Sequence, residues 1–306
     1  MKTNYRSTKP LLAGMLLIIS INTQAMFNEV VSAELLNAVA QNDRAEVREL
    51  IALHADVNYA DDAGNTPLIL AAQEGNIAIV KILLEYHAQV NARTKNKVTA
   101  LWKAAFYGHL DVVRLLLENG AAINKANKWG VTPLLTATEN EHLEVVKILL
   151  AYGANANIQA SKDNNRTPLT QAADLNNIEI VIALLTITPT ADADAYFILA
   201  SSMKKNPALQ TNPDTRRMVL QYFVETLIKK RQRHVLRMIA LRTKDGKTAR
   251  EIALKKDHYA IADLLDISTP EARERILKMV AMNVKQTLRL KPRPVHQIKA
   301  DSKEPK

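Results

Sequence analysis

Histidine offers this sequence its best chemistry for catalysis or metal binding, because the chain contains seven histidines and no cysteine. The lack of cysteine excludes a disulfide framework, a zinc–thiolate site and a thiol nucleophile. Four histidines form two pairs in which the members are 33 positions apart, His54 with His87 and His109 with His142. This interval predicts that each pair occupies one position of a repeated unit, with rings ~8–10 Å apart, too far to share a metal ion. We interpret all four as structural, and His54 and His87 as helix-ending residues with a left-handed backbone.

The other residue patterns that enzymes use are missing. The sequence has no phosphate-cradling glycine-rich loop, no HExxH motif and no Gly-x-Ser-x-Gly motif. Asp192 and Asp194 stand close together without a ligand loop, so they favour a helix cap over a cation site. His234, His258 and His296 have no carboxylate or nucleophile pattern beside them. The sequence therefore predicts a protein that is not an enzyme and that uses no metal or cofactor.

Basic residues are concentrated towards the end of the chain. The formal net charge is +10, and residues 227–306 carry 21 Lys and Arg against 9 Asp and Glu. The densest basic run consists of Lys229, Lys230, Arg231 and Arg233. Such a run is usually a solvated helix face, but lysine and arginine also neutralise phosphates. Both interpretations stay open: a solvated helix, or a site that binds nucleic acid or anionic lipid.

The first 25 residues have the three parts of a secretory signal peptide. Three basic residues precede an uncharged apolar run at positions 11–21, and a small-residue cleavage site ends at Ala25. The apolar run is well short of the ~20 residues that a bilayer span requires. We expect residues 1–25 to be removed and the mature protein, beginning near Met26, to be periplasmic or secreted. No later segment is long and apolar enough to be a transmembrane helix.

The elements that position these residues repeat with a period of about 33 residues. A Thr-Pro-Leu or Thr-Ala-Leu triplet begins at Thr66, Thr99 and Thr132, and again at Thr167, two positions later than the period requires. An asparagine recurs with the same period at Asn58, Asn91, Asn124 and Asn157. Two independent markers in phase indicate a structural repeat. In one unit, Thr66 is placed to cap a short helix, Pro67 suits its first turn, and the apolar stripe of residues 79–84 indicates a second helix.

These units resemble the ankyrin-repeat family. The resemblance is carried by DAGNTPL at 62–68, GHLDVVRLLL at 108–117 and GAAIN at 120–124; it covers roughly residues 33–186 and resumes at 245–248 and 261–265. The family's usual His after Thr-Pro-Leu is replaced by Ile69, Trp102, Leu135 and Thr170, so its hydrogen bonds between neighbouring repeats are not implied here. Glu141 and Asn176 replace an expected glycine, which should strain the turn at Glu141 by ~1 kcal/mol.

The resemblance implies an all-α fold, an ankyrin-repeat solenoid of stacked helix-turn-helix units with hairpin-like loops and a C-terminal capping helix. We expect regular repeats over 26–186, a degenerate repeat with a helical insertion over 187–242, a terminal ankyrin-like repeat over 243–267, a helix over 268–290 and a basic disordered tail over 291–306. The degenerate repeat is predicted to contain helices near 195–204 and 215–241.

The resemblance also implies a function, because ankyrin proteins commonly hold partners with their hairpin tips and inner helices. We expect a non-catalytic protein–protein interaction module, a scaffold, adaptor or exported effector, that binds through its concave face. The matching partner-binding positions are Trp102, Phe106, Tyr107, Trp129, Lys95, Lys128, Glu139 and Arg166. The four aromatic residues should converge on one exposed patch. Alternatively, Trp102 packs in the position of the missing His and Trp129 only covers a hairpin.

Overall fold

Paired helices make up the regular structure of the chain. The computed structural model describes residues 26–161, 164–187 and 213–289. Within these residues, the helices up to Thr186 are α1 (26–40), α2 (Arg44–Ala52), α3 (Pro67–Glu74), α4 (Ile77–Glu85), α5 (Ala100–Tyr107), α6 (Leu110–Glu118), α7 (Pro133–Glu139), α8 (Leu143–Ala151), α9 (Pro168–Asp174) and α10 (Ile178–Thr186). They are followed by α11 (Pro213–Ala240), α12 (Ala249–Lys255), α13 (Tyr259–Leu264) and α14 (Pro270–Arg289). The described residues contain no strand and one isolated bridge, between Ala160 and Arg166, so the predicted all-α repeat solenoid is confirmed.

The helices form two rows because each repeat contributes one helix to each row. The first to fifth repeats contain the helix pairs α1–α2, α3–α4, α5–α6, α7–α8 and α9–α10, and the terminal repeat contains α12–α13. Inner helices α3, α5, α7, α9 and α12 pack on one another in that order, and outer helices α2, α4, α6, α8 and α10 form the second row. Buried Leu, Ile, Val and Ala side chains from both rows join into one continuous apolar core. No single repeat could bury its apolar stripe alone, so the stack is the unit of stability.

Threonine begins each inner helix in the same way. The Oγ1 atom of each capping threonine accepts a hydrogen bond from the backbone N–H three residues later, at distances of 3.1–3.4 Å. These threonines are Thr66, Thr99, Thr132, Thr167 and Thr248. Proline occupies the first turn of α3, α7 and α9, where its missing N–H costs no helical hydrogen bond. The predicted roles of Thr66 and Pro67 are therefore confirmed.

Histidines at one repeat position tie neighbouring repeats together. The ring nitrogen of each lies within hydrogen-bond distance of a carbonyl oxygen near the end of the preceding inner helix. The pairs are His109 Nε2 with Gln73 (2.8 Å), His142 Nε2 with Phe106 (2.9 Å) and His258 Nδ1 with Ala173 (2.9 Å). Hydrogen bonds between repeats are thus present although the family's usual His is missing.

Left-handed backbone conformations occur where the sequence predicts them. His54 and His87 follow outer helices with φ of 67° and 63°. Glu141 and Asn176, at the positions where glycine was expected, adopt φ of 57° and 58°. Gly108 has φ of 78°, and a Cβ atom at this position would lie 2.7 Å from the ring of His142. Glycine at Gly108 therefore permits both the turn and the contact between repeats.

The repeated asparagines join the loops that follow successive outer helices. Asn58, Asn91 and Asn124 accept hydrogen bonds through Oδ1 from the backbone N–H groups of Gln89 (2.7 Å), Ala122 (2.7 Å) and Asn155 (2.9 Å), respectively. Asn157 departs from this series, because its Nδ2 donates to Nδ1 of His234 on α11 at 3.2 Å. The fourth-repeat loop is therefore linked to α11.

The terminal repeat stacks directly on the fifth repeat. The backbone N–H of Lys244 donates to the carbonyl oxygen of Asn164 at 3.0 Å, as Lys95 N–H does to Ala63 at 2.9 Å between regular repeats. Helix α12 also packs on α9 as one inner helix packs on the next. The degenerate repeat predicted over 187–242 consequently does not separate these two units in the stack. Of that segment, the described residues 213–240 form one helix of 28 residues, near the predicted helix at 215–241, and the helix predicted near 195–204 lies outside the described residues.

Helices α11 and α14 complete the core beside the last repeats. Val235, Met238 and Ile239 of α11 are buried in the same apolar cluster as Ile276 and Val280 of α14. Helix α14 packs against both α10 and α11. No helix in the described part of the chain is long and apolar enough to span a membrane. The predicted signal peptide (1–25) and basic tail (291–306) lie outside the described residues.

Candidate functional site

Three aromatic side chains of α5 form a cluster on the inner face, by which we mean the surface made by the hairpin tips and inner helices. The rings of Trp102 and Phe106 are stacked with centroids 5.3 Å apart and an interplanar angle of 19°. The ring of Tyr107 meets that of Phe106 edge-on, with centroids 4.8 Å apart. The side chain of Tyr107 is 44% exposed, so the outer member of the cluster is accessible.

Trp102 also connects the third and fourth repeats. Its indole Nε1–H donates a hydrogen bond to the backbone carbonyl of Val131 at 3.1 Å. The half-buried ring packs against the buried side chains of Val131, Leu135 and Ala160. Trp102 stands where the family's usual His was expected, and these contacts support the alternative interpretation that it is a packing residue.

Trp129 lies at the next hairpin tip and is 43% exposed. The Nζ of Lys128 is 4.4 Å from its ring centroid, in cation–π geometry. Within the described residues, no ring contact joins Trp129 to Trp102, Phe106 or Tyr107. The structure thus brings three of the four predicted aromatic residues together and places the fourth on the adjoining hairpin.

Charged side chains on the inner face bond to one another between consecutive repeats. Glu139 forms an ion pair with Arg166 at 2.8 Å across the fourth and fifth repeats, so two predicted partner-binding residues contact each other. The same arrangement recurs between other neighbours, where Lys103 Nζ donates to Gln73 Oε1 at 2.7 Å and Lys256 pairs with Asp174 at 2.9 Å. Lys103 and Lys256 were not among the predicted site residues, although opposite or complementary polar types at matching repeat positions were a usable signal.

Lys103 lies between the second repeat and the aromatic cluster, because its Nζ bonds to Gln73 and also faces Tyr107. Its Nζ lies 5.8 Å from the ring centroid of Tyr107. Burial lowers the pKa of Lys103, and the nearby carboxylate of Glu74 acts in the opposite direction. Lys95 and Lys128, the other predicted lysines, are exposed at successive hairpin tips. Each of the two exposed inner-face aromatic rings thus has a lysine neighbour, Lys103 beside Tyr107 and Lys128 beside Trp129.

A family model described as Ankyrin repeats (3 copies) matches residues 35–127 and 119–196. The chain belongs to the ankyrin-repeat family. No curated protein matches the sequence. Ankyrin repeats generally mediate protein–protein interaction, and ankyrin-repeat proteins are typically non-catalytic.

A hollow lies on the inner face of the ankyrin stack, between its last two repeats. It has a volume of about 270 Å³ and carries side chains of both charges, including Arg166, Asp174, Asp245, Lys247 and Lys256. Its mixed lining favours a polar segment of a partner over an apolar one. Of these five residues, only Arg166 was predicted from the sequence to bind a partner.

The four basic residues of the run 229–233 lie on different sides of helix α11. Lys229, Lys230 and Arg233 are exposed, whereas Arg231 is only 9% exposed. An Nη2–H of Arg231 donates to the carbonyl oxygen of Leu184 in α10 at 3.0 Å. The run is therefore not a uniform basic surface, because Arg231 joins two helices of the fold.

Metal ligands are not grouped in the part of the chain that the structure describes. No cluster of three or more potential ligands occurs among those residues. Asp192, Asp194 and His296, which the sequence analysis considered, lie outside the described residues.

The environment of His234 on α11 changes how its ring titrates. Burial, reinforced by the charges of Arg231, Arg237 and Lys230, lowers the pKa of His234 to about 4. With Asn157 Nδ2 as donor, Nδ1 of His234 is the acceptor, so the neutral ring carries its proton on Nε2.

Proposed function

We propose that this ankyrin-repeat protein is an exported, non-catalytic interaction module, a scaffold, adaptor or effector, that binds a protein partner through its inner face. The main support is the aromatic surface of two adjacent repeats, where Tyr107 and Trp129 are 44% and 43% exposed. Large aromatic side chains are common anchors of protein interfaces, and accessible ones grouped on a soluble protein often mark such a site.

The contacts beneath these two side chains suggest how they would bind. Phe106 and Trp102 form a fixed base for Tyr107, because Trp102 is itself held by its hydrogen bond to Val131. A preformed aromatic surface loses little conformational entropy on association. The surrounding lysines would complement acidic residues in the partner, so we propose a partner segment that combines apolar and acidic side chains.

The proposal is tested by using the mature chain as bait in an extract of the compartment in which the native protein is found. Co-purified proteins are identified by mass spectrometry, and the affinity of each is measured for the wild type and for a Tyr107→Ala, Trp129→Ala double variant. We expect at least tenfold weaker binding, since each anchor contributes ~1–2 kcal/mol or more. The matched control is Tyr86→Ala, which removes a 54% exposed tyrosine at the end of outer helix α4. Equal affinities of the double variant and the control would contradict inner-face binding.

Export is the second part of the proposal. Its support is the three-part pattern of residues 1–25, and its setting would be a bacterial envelope or the interaction of an exported factor with a host protein. N-terminal sequencing of the native protein should find a start near Met26. Recovery of an intact Met1 from the cytoplasm would refute export and leave inner-face binding to be tested separately.

A second candidate function is the binding of a polyanion, nucleic acid or anionic lipid, by Lys229, Lys230, Arg231 and Arg233. The exposure of Lys229, Lys230 and Arg233 supports it, whereas the burial of Arg231 removes one of the four cations from the surface. This function would show a steep loss of affinity with salt and little dependence on the identity of the partner. A weak dependence on salt would exclude it.

A further inference from the structure

Helix α11 and the loop that follows α8 border an open cleft with a basic lining. The cleft has a volume of about 690 Å³, within the range of small-molecule sites. One wall consists of Gly153, Ala154, Asn155 and Asn157, and the other of Lys230, Arg231, Arg233, His234 and Arg237. It shares no residue with the inner-face aromatic cluster, so it is a separate site.

The cations reach the cleft because of their spacing along α11. Positions 230, 233 and 237 are separated by three and four residues, which places them on one side of a helix. No acidic side chain belongs to the lining. Within the described residues, neither Arg233 nor Arg237 forms an ion pair. The two guanidinium groups can therefore donate hydrogen bonds to a ligand.

The opposite wall is held in place by the fold. Asn155 N–H is hydrogen-bonded to Asn124 Oδ1 at 2.9 Å, and Asn157 N–H to Asn155 Oδ1 at 3.0 Å. Asn157 Nδ2 then contacts His234 across the cleft at 3.2 Å. The hydrogen bond from Arg231 to the carbonyl oxygen of Leu184 also holds α11 against α10. The cleft is thus preformed and needs no rearrangement to receive a small ligand.

We propose that this cleft binds a phosphate-type oxyanion, held by the guanidinium groups of Arg233 and Arg237 with Lys230 and the Nε2–H of His234 beside them. Guanidinium groups present a planar set of donors that matches phosphate oxygens, and charge-assisted hydrogen bonds are stronger than neutral ones. Burial, and after it the charges of Arg231, Arg237 and Lys230, lowers the pKa of His234, and a bound anion would offset the part that is due to the cations. The inference deepens the second candidate function, since it names the residues and the chemistry that would bind phosphate.

The ligand has two possible sources with the same chemistry, a free phosphate compound or a lipid headgroup. Inorganic pyrophosphate is the probe for the first, measured by calorimetric titration of the mature chain at low ionic strength. Vesicles of phosphatidylcholine with one-third phosphatidylglycerol are the probe for the second, measured by co-sedimentation. Binding of either probe that depends on Arg233 and Arg237 supports the proposal, and the probe that binds identifies the source.

The variants are Arg233→Gln and Arg237→Gln, and the matched control is Lys285→Gln, which removes one exposed charge of helix α14 outside the cleft lining. We expect each arginine variant to bind at least about tenfold more weakly, and the control to change affinity less than about twofold. Equal effects of all three substitutions would overturn the proposal, because they would show diffuse attraction to a basic surface. Loss of inner-face partner binding would leave this result unaffected.

A second measurement on the wild type avoids dependence on the folding of variants. The pKa of His234 is followed by NMR with and without saturating pyrophosphate. An anion in the cleft should raise this pKa from about 4 towards its ordinary value of 6.5. Absence of binding by both probes, or an unchanged pKa of His234 on saturation, would overturn the proposal.

Discussion

Substitution of Trp102 by alanine should destabilise the stack, because this side chain bridges the third and fourth repeats. A tryptophan buries ~150–250 Å² when fully enclosed, so a half-buried ring removes about 100 Å² from water, worth ~2.5 kcal/mol at ~25 cal/mol per Å². Loss of the hydrogen bond to Val131 adds ~1 kcal/mol, and loss of stacking on Phe106 adds ~0.5 kcal/mol or more. We expect the free energy of unfolding to fall by about 4 kcal/mol.

The measurement is urea denaturation of the protein followed by far-UV circular dichroism. Trp102→Phe separates the causes, since it keeps most of the ring burial and stacking but lacks the Nε1–H, and should cost ~1 kcal/mol. Trp129→Ala is the matched control, because this ring is 43% exposed and packs in no buried cluster of the described residues. If Trp102→Ala and Trp129→Ala are equally stable, the bridging role of Trp102 is wrong and both residues are available to a partner.

Two further outcomes follow from the same structure. Gly108→Ala should lower the free energy of unfolding, measured by urea denaturation, by about 2–3 kcal/mol, because its Cβ would lie 2.7 Å from the ring of His142. The control Gly120→Ala, with φ of 82° and no neighbour within 4 Å, should lower it by only ~1 kcal/mol. Equal losses would show that the ring contact is unimportant. Because the pKa of His234 is lowered in the folded protein, the unfolded chain binds one more proton than the folded protein between pH 6.5 and about 4. The free energy of unfolding should therefore decrease as the pH falls through this window. The expected decrease is ~1–2 kcal/mol after allowance for the partial exposure of the ring. His234→Gln should flatten that dependence in unfolding curves recorded from pH 7 to 4, and an unchanged curve would refute the assignment.

The regular repeats could be predicted from the sequence because their determinants are local. A threonine cap, a following proline and a left-handed residue at a helix end act within a few residues, so the repeat period was sufficient to locate the helices. Contacts between repeats were less accessible. The hydrogen bond of Trp102 to Val131 joins residues 29 positions apart, and only the position of Trp102 in place of the missing His indicated it.

The course of the chain after the fifth repeat could not be predicted from the spacing of markers. The long interval between Thr167 and Thr248 is compatible with an extra repeat in the stack and equally with chain that leaves it. The burial of Arg231 was also missed, although Leu227, Arg231, Val235 and Met238 recur at intervals of three and four and share the buried side of α11. The charge composition alone does not distinguish the four basic residues of the run, whereas their positions around the helix place Arg231 on the buried side and the other three on the exposed side.

The direct stacking of the last repeat on the fifth has a consequence for folding kinetics. Regular repeats can be added to a growing stack one after another, since each new contact closes a loop of about 33 residues. The last repeat must close a loop of about 81 residues, which raises the entropic cost of closure by roughly 0.8 kcal/mol on the logarithmic scaling of loop entropy. Its contacts with the fifth repeat are correspondingly non-local, and non-local contacts slow folding. Helices α12 and α13 should therefore join a stack that is already formed and should be the first part of it to separate when the protein opens.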